Sequence, residues 1–180
     1  SNGGALITFL LKLLDQTAKG SASDFINLVK AMQVTSVARR EICHDAQDTS
    51  QISQVQETNT FNHYLKLFNS SFNSIPNKPD PPSQGATTHV SILDNQGNAA
   101  SVTTTNGEGC GYVIPEMGIM LNNMLGEEDL NPMGFHLWTR QQRLPTMMAP
   151  TVVMGKKGVE LVLGSGGSNR LRSAISQVII

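Results

Sequence analysis

The chain has 180 residues, 39% hydrophobic and 15% charged, with 13 basic against 14 acidic side chains. A net charge of −1 supplies no basic patch for phosphates and speaks against nucleic-acid binding. No apolar run reaches the ~20 residues of a membrane span, and the cysteines, Cys43 and Cys110, are too few for a disulfide framework or a cysteine-rich metal site.

The chain opens almost directly into an apolar helix. Leu6, Leu10, Leu13 and Leu14 recur at helical spacing, and Gly20 is the expected stop. No basic leader precedes this segment and Lys12 interrupts it, so it does not read as a secretory signal. Ser23 and Asp24 suit a cap for a second helix, with Phe25, Leu28, Val29 and Met32 as its apolar stripe. Residues 45–60 are rich in Asp, Gln, Ser and Thr and predict a loop or weak helix, and Phe61 to Phe68 a short helix. Residues 73–86 carry Pro76, Pro79, Pro81 and Pro82, which keep the backbone extended and open to cleavage.

Beyond this linker the period changes to that of strands. Val90 and Ile92 lead into a turn at Asp94–Asn98, and residues 99–105 return as a second strand. Residues 118–123 and 147–154 predict two more, the latter turning at 155–158 into a partner strand over 159–163. The Gly164–Ser168 cluster then opens a last helix, whose pattern through Ile180 has no Gly, Asn or Pro stop. The expected organisation is a helical part over 1–72, a linker over 73–86 and a β-rich part over 87–180, together an α+β chain. An apolar half-helix at either end predicts a piece of a longer protein.

Three segments carry candidate chemistry. Thr87-Thr88-His89 stands where the linker meets the first strand, behind the small Gly85 and Ala86. A threonine hydroxyl needs a base, and cutting the chain before Thr87 would free an α-amino group of pKa about 8 beside it. The same residues also suit a strand by β propensity alone. The glycines at 164–167 ahead of a helix would aim backbone N–H groups at a phosphate or an oxyanion, or form a plain strand-to-helix turn. Asn122-Asn123 and Gly126-Glu127-Glu128-Asp129 would grip an ammonium group or a hard cation, or be simply solvated. His44, His63, His89 and His136 are scattered without metal-ligand spacing.

In order and spacing these segments resemble the γ-glutamyltranspeptidase family of N-terminal-nucleophile hydrolases. The resemblance runs through Thr87–Ser91, Asp94–Gly97, Ser101–Thr103, Gly118–Asn123, Met148–Thr151 and Gly164–Ser168. It implies part of a four-layer αββα sandwich, with residues 1–72 ending a large subunit and Thr87 opening a small one. It further implies self-cleavage between Ala86 and Thr87, then attack of Thr87 on the amide of a γ-glutamyl compound such as glutathione. The free α-amino group would act as base, and the acyl group would pass to water, an amino acid or a dipeptide, with no cofactor and no metal. Thr105 corresponds to the supporting threonine, and Gly166 and Gly167 to the oxyanion-hole amides. Asn106, Glu127 and Thr146 correspond to substrate contacts, with Glu128 as the alternate acid.

The pattern also departs from the family. Pro145-Thr146 stands in place of Ser-Ser, Met124 replaces a polar residue, and the carboxylate-binding arginine would lie upstream of residue 1. These departures leave open a related amidase or acylase with another acyl substrate, and a non-cleaving homologue or fragment. Family members are mostly exported, and any export signal would precede residue 1.

Overall fold

The computed structural model describes residues 2–17, 24–42, 51–70, 87–127, 130–131, 134–138, 140–141, 143–167 and 170–180. Helices and antiparallel hairpins share the chain, in keeping with the α+β expectation. In order they are α1 (Asn2–Leu14), α2 (Asp24–Ile42), a 3-10 turn (Gln51–Gln56), α3 (Thr58–Asn69), β1 (Thr87–Leu93) and β2 (Ala99–Thr105). There follow β3 (Val113–Ile114), β4 (Ile119–Met120), a 3-10 turn (Met124–Gly126), β5 (Thr151–Gly155), β6 (Gly158–Leu163) and α4 (Leu171–Ile179). The expected helix stop at Gly20, the linker and residue Ala86 lie outside the described residues.

The spacing of Leu6, Phe9, Leu10 and Leu13 puts them on one face of α1, and all are buried. They meet Ala31, Val34 and Ala38 of α2, Ile52 and Val55 of the 3-10 turn, and Phe61, Tyr64 and Phe68 of α3. Phe9 stands edge-on to both Phe61 and Tyr64, with ring centroids 5.8 Å apart in each pair. Tyr64 places its ring in this core and donates its hydroxyl proton to Glu41, 2.8 Å away.

The face of α2 differs in part from the expected stripe, of which Met32 packs against the core. Phe25 is 74% exposed and Val29 is 37% exposed, whereas Ala31, Val34, Thr35 and Ala38 are buried. These small side chains let α2 lie close to α1. Thr35 makes its burial tolerable by donating its hydroxyl proton to the carbonyl of Ala31 at 2.7 Å.

A second, smaller core lies on another face of α1, where Ile7 meets Ala149, Leu163 and Ile175. α1 therefore joins the helical core to the hairpin β5–β6 and to α4. Its N-terminus is tied in as well: the Gly3 N–H donates to the Thr146 carbonyl at 3.2 Å. A Cβ at Gly3 would run into the Met147 carbonyl, so only glycine permits this approach.

The strands form antiparallel pairs. β1 pairs with β2 in unbroken register from Thr87↔Thr105 to Leu93↔Ala99. β5 pairs with β6, with a shift of register between Val153 and Met154, and β3 pairs with β4 through two residues each. The expected strand over 118–123 is thus only Ile119–Met120. The Ser101 hydroxyl donates to the Leu163 carbonyl at 3.0 Å and connects the first hairpin to β6. Among the described residues no helix is long and apolar enough to cross a membrane.

Candidate active site

The β1–β2 hairpin alternates, and its two faces differ in kind. Thr87, His89, Ser101, Thr103 and Thr105 are half-buried, while Thr88, Val90, Val102 and Thr104 between them are exposed. Register sets Thr87 directly opposite Thr105, and the Thr87 hydroxyl donates to Thr105 Oγ1 at 3.0 Å. The Gly107 N–H donates to the same Thr105 oxygen, also at 3.0 Å. Thr105 Oγ1 thus holds the Thr87 hydroxyl at the mouth of the turn that follows β2.

The next layer of the site comes from the turn between β6 and α4. A Cβ on Gly166 would lie 2.6 Å from the Thr87 carbonyl oxygen, so this backbone can lie against Thr87 only as glycine. Gly167 has φ +108°, a conformation that L side chains rarely adopt, and its carbonyl accepts the Arg170 N–H at 3.0 Å. No hydrogen bond among the described residues engages the Gly166 or Gly167 N–H. His89 fills the space beside this turn: a Cβ on Gly164 would collide with its imidazole. Its ring nitrogens bond Thr103 Oγ1 and Ser91 Oγ, both at 2.8 Å.

The loop after β2 meets the segment after β4. Gly107 is buried at φ +68°, and a Cβ there would strike Asn123 Oδ1 and lie 2.6 Å from Glu127 Oε1. Asn123 Oδ1 accepts the N–H groups of Glu108 at 2.7 Å and Gly109 at 3.1 Å. The Asn106 carbonyl accepts the N–H groups of Gly109 at 2.9 Å and Asn123 at 3.1 Å. Asn106 itself is exposed, and the Glu127 carboxylate lies against Gly107, the residue that follows it.

Of the residues singled out from the sequence, Thr87, Thr105 and Gly166 come together directly. Glu127 lies against Gly107, the neighbour of Asn106 in the chain. Gly167 sits in the same turn as Gly166. Thr146 is held differently: its hydroxyl accepts the Met148 N–H at 3.1 Å and its carbonyl faces α1. Glu128 and Ala86 lie outside the described residues. The Asn123 amide binds backbone, which sequence reasoning missed. The Asn106-Gly107 pair, a strong turn signal, was the available clue to Gly107.

At the far end of the hairpin Asp94 closes the β1–β2 turn. The Asn98 side-chain amide, then the Asn98 N–H, hold its carboxyl below the ordinary value against opposing desolvation, with smaller help from the Gln96 and Gly97 N–H groups. Among the described residues no cluster of His, Cys, Asp or Glu could hold a metal ion, and Cys110 is a free, exposed thiol.

A profile of the family Gamma-glutamyltranspeptidase matches residues 1–180. The glutathione hydrolase proenzyme of Bacillus subtilis (strain 168) is 32% identical over 105 residues, 57% of this chain and 18% of that protein. The glutathione hydrolase proenzyme of Escherichia coli (strain K12) is 31% identical over 117 residues, 58% of this chain and 20% of that protein. The chain thus spans about a fifth of the length of these curated relatives. Among solved structures, the gamma-glutamyltranspeptidase from Pseudomonas nitroreducens complexed with L-DON matches with TM-score 0.45 and 32% identity, covering 51% of this chain and 54% of that one. With the profile matched along its whole length, this chain belongs to the gamma-glutamyltranspeptidase family.

Proposed function

We propose that the protein is a γ-glutamyltransferase and glutathione hydrolase that activates itself by cutting before Thr87. The observation that carries this reading is the Thr87 hydroxyl, bonded to Thr105 Oγ1 at 3.0 Å, with the Gly166 backbone against the Thr87 carbonyl. In the precursor, Thr87 Oγ1 attacks the Ala86 carbonyl carbon and its proton passes to the departing Thr87 nitrogen. The peptide C–N bond breaks as an ester forms. Water then hydrolyses the ester, leaving an Ala86 carboxylate and restoring the Thr87 hydroxyl beside a free amine.

In turnover the same oxygen attacks the γ-carbonyl of a glutathione-like donor, with the Thr87 amine as base. Thr105 Oγ1, itself accepting the Gly107 N–H, aligns the nucleophile. The Gly166 and Gly167 N–H groups stabilise the oxyanion, each such donor being worth about 3–4 kcal/mol in the transition state. Glu127 receives the donor's α-ammonium, with Glu128 as the alternate, while Asn106 and Thr146 contact the glutamyl group. Water, an amino acid or a dipeptide then takes the acyl group from Thr87. The reaction needs no cofactor and no metal.

We assign the chain to part of a four-layer αββα sandwich, with residues 1–72 in the large subunit, 73–86 as the processing linker and 87–180 in the small subunit. Support for the missing layer comes from Val90, Ile92 and Val102, apolar strand residues that are each at least half exposed. A sheet face of this composition is ordinarily covered.

A second reading, a related amidase or acylase with another acyl group, draws on the single hydroxyl of Pro145-Thr146, which already accepts the Met148 N–H. The test is the intact mass of the full-length protein over days at neutral pH, followed by turnover of a γ-glutamyl anilide. Two products meeting at Ala86 and Thr87, with turnover, are expected. Cleavage without turnover would favour the second reading, and an uncut, silent protein a non-cleaving homologue.

A further inference from the structure

Behind Glu127 the chain folds back on a buried amide. Asn131 is 5% exposed, and its Nδ2 donates to the Glu127 carbonyl at 2.6 Å and to the Leu125 carbonyl at 2.9 Å. Its Oδ1 accepts the indole N–H of Trp138 at 2.6 Å. The Leu130 N–H adds a bond to the Glu127 carbonyl at 3.1 Å. An amide side chain has two N–H donors and one carbonyl, and all three groups are engaged here. The two carbonyls it grips flank Gly126, so Asn131 fixes the main chain at and just before Glu127. Trp138 fixes Asn131 in turn.

The side chain of Glu127 leaves that pinned backbone toward the turn after Thr105. There Gly107 offers no Cβ, and Asn123 Oδ1 holds the Glu108 and Gly109 N–H groups. One side of the contact is therefore set by Asn123 and the other by Asn131. A carboxylate reached through a flexible glutamate side chain is only as well placed as the backbone beneath it. A displacement of about 1 Å in such a contact is enough to change a rate a hundredfold.

We propose that Asn131, anchored by Trp138, is a positioning residue that fixes the Glu127 carboxylate against the Asn106–Gly107 turn and so sets the preference for acyl donors carrying an α-ammonium group. This rests on the function proposed above, in which Glu127 receives that ammonium. A merely structural amide would lower stability and slow all donors alike. A positioning amide changes the ratio between donors that differ only in the ammonium group.

The experiment compares γ-glutamyl p-nitroanilide with glutaryl p-nitroanilide, the same acyl chain without its α-amino group, on the full-length processed protein. The wild type is expected to prefer the first. Asn131→Asp keeps the size and the acceptor for Trp138 but loses the Nδ2 donors. It should lower the ratio of kcat/KM values roughly ten- to a hundredfold, mainly through KM for the γ-glutamyl donor. Trp138→Phe should lower the ratio less, in the same direction. Glu127→Gln should abolish the preference, and adding Asn131→Asp to it should change the ratio no further.

A wild-type ratio in folded Asn131→Asp overturns the positioning role while leaving the proposed function intact. If that variant fails to fold, Trp138→Phe decides, and an unchanged ratio there overturns the proposal. A wild type that does not prefer the γ-glutamyl donor overturns both the positioning role and the reading of Glu127.

Discussion

The helical region and the β1–β2 hairpin bury opposite kinds of side chain. Around α1, the apolar residues Leu6, Phe9, Leu10 and Leu13 turn inward against α2 and α3. On the hairpin, the half-buried face is a row of threonine, serine and histidine, and the apolar Val90, Ile92 and Val102 point outward. The first region is organised by removal of hydrocarbon from water, the second by hydroxyl and imidazole bonds around Thr87. Packing therefore should govern stability in one and geometry should govern chemistry in the other, and substitutions in each separate the two.

The largest effect is expected from Thr87→Ala, which should abolish both self-cleavage and turnover while leaving the helical circular dichroism unchanged. Intact mass and anilide assay together check this, and cleavage at Ala86 in that variant would remove Thr87 as nucleophile. Phe9→Ala should act on the other region, destabilising by about 3–5 kcal/mol through the cavity left between Phe61 and Tyr64. Denaturant unfolding measures that loss, and the folded fraction should keep its Thr87 chemistry.

Gly166→Ala places a methyl group against the Thr87 carbonyl. It should lower kcat by roughly a hundred- to a thousandfold, the range seen when an oxyanion donor is lost, and lower the unfolding midpoint as well, because backbone must shift to admit the methyl. Thr105→Ala removes the acceptor for the Thr87 hydroxyl and for the Gly107 N–H. A net loss of about 1 kcal/mol for each of these two bonds predicts processing slowed roughly thirtyfold, read from the time course of the two masses.

The smallest effect belongs to Asp94. Its carboxyl is held below the ordinary value of 3.8 by Asn98 first, so its ionised form is favoured in the folded turn. That contribution is present above the unfolded pKa and is lost as pH falls through the lower folded one. Amide protection at Gln96 and Asn98, taken relative to the intrinsic exchange rate at each pH, should therefore fall on acidification in the wild type and lose this dependence in Asp94→Ala.

Much of the fold was legible from periodicity alone. The α1 stripe, α3, the β1–β2 hairpin and the β5–β6 turn all follow from residue spacing. The face of α2 was not, because hydropathy draws attention to Phe25 and Val29 whereas close helix packing selected Ala31, Thr35 and Ala38. β3 was missed since two residues carry no period. For the candidate site, Thr87 and the glycine cluster stood out individually, but their contact is made by chain folding and not by any local pattern. Asn123 read as a grip for an ammonium group or a cation, or as solvated, and Asn131 carried no signal; their backbone partners appear only once β4 and the following turn are in place.

The way α1 straddles both cores has a consequence for what a cut before Thr87 would do. Ile7 lies against Leu163 and Ile175, and Gly3 is bonded to the Thr146 carbonyl, so the piece before the cut would keep a helix embedded in the piece after it. Scission would change connectivity without dissociation. Under denaturing conditions two chains would separate, whereas in native solution they would sediment as a single particle until α1 is pulled free.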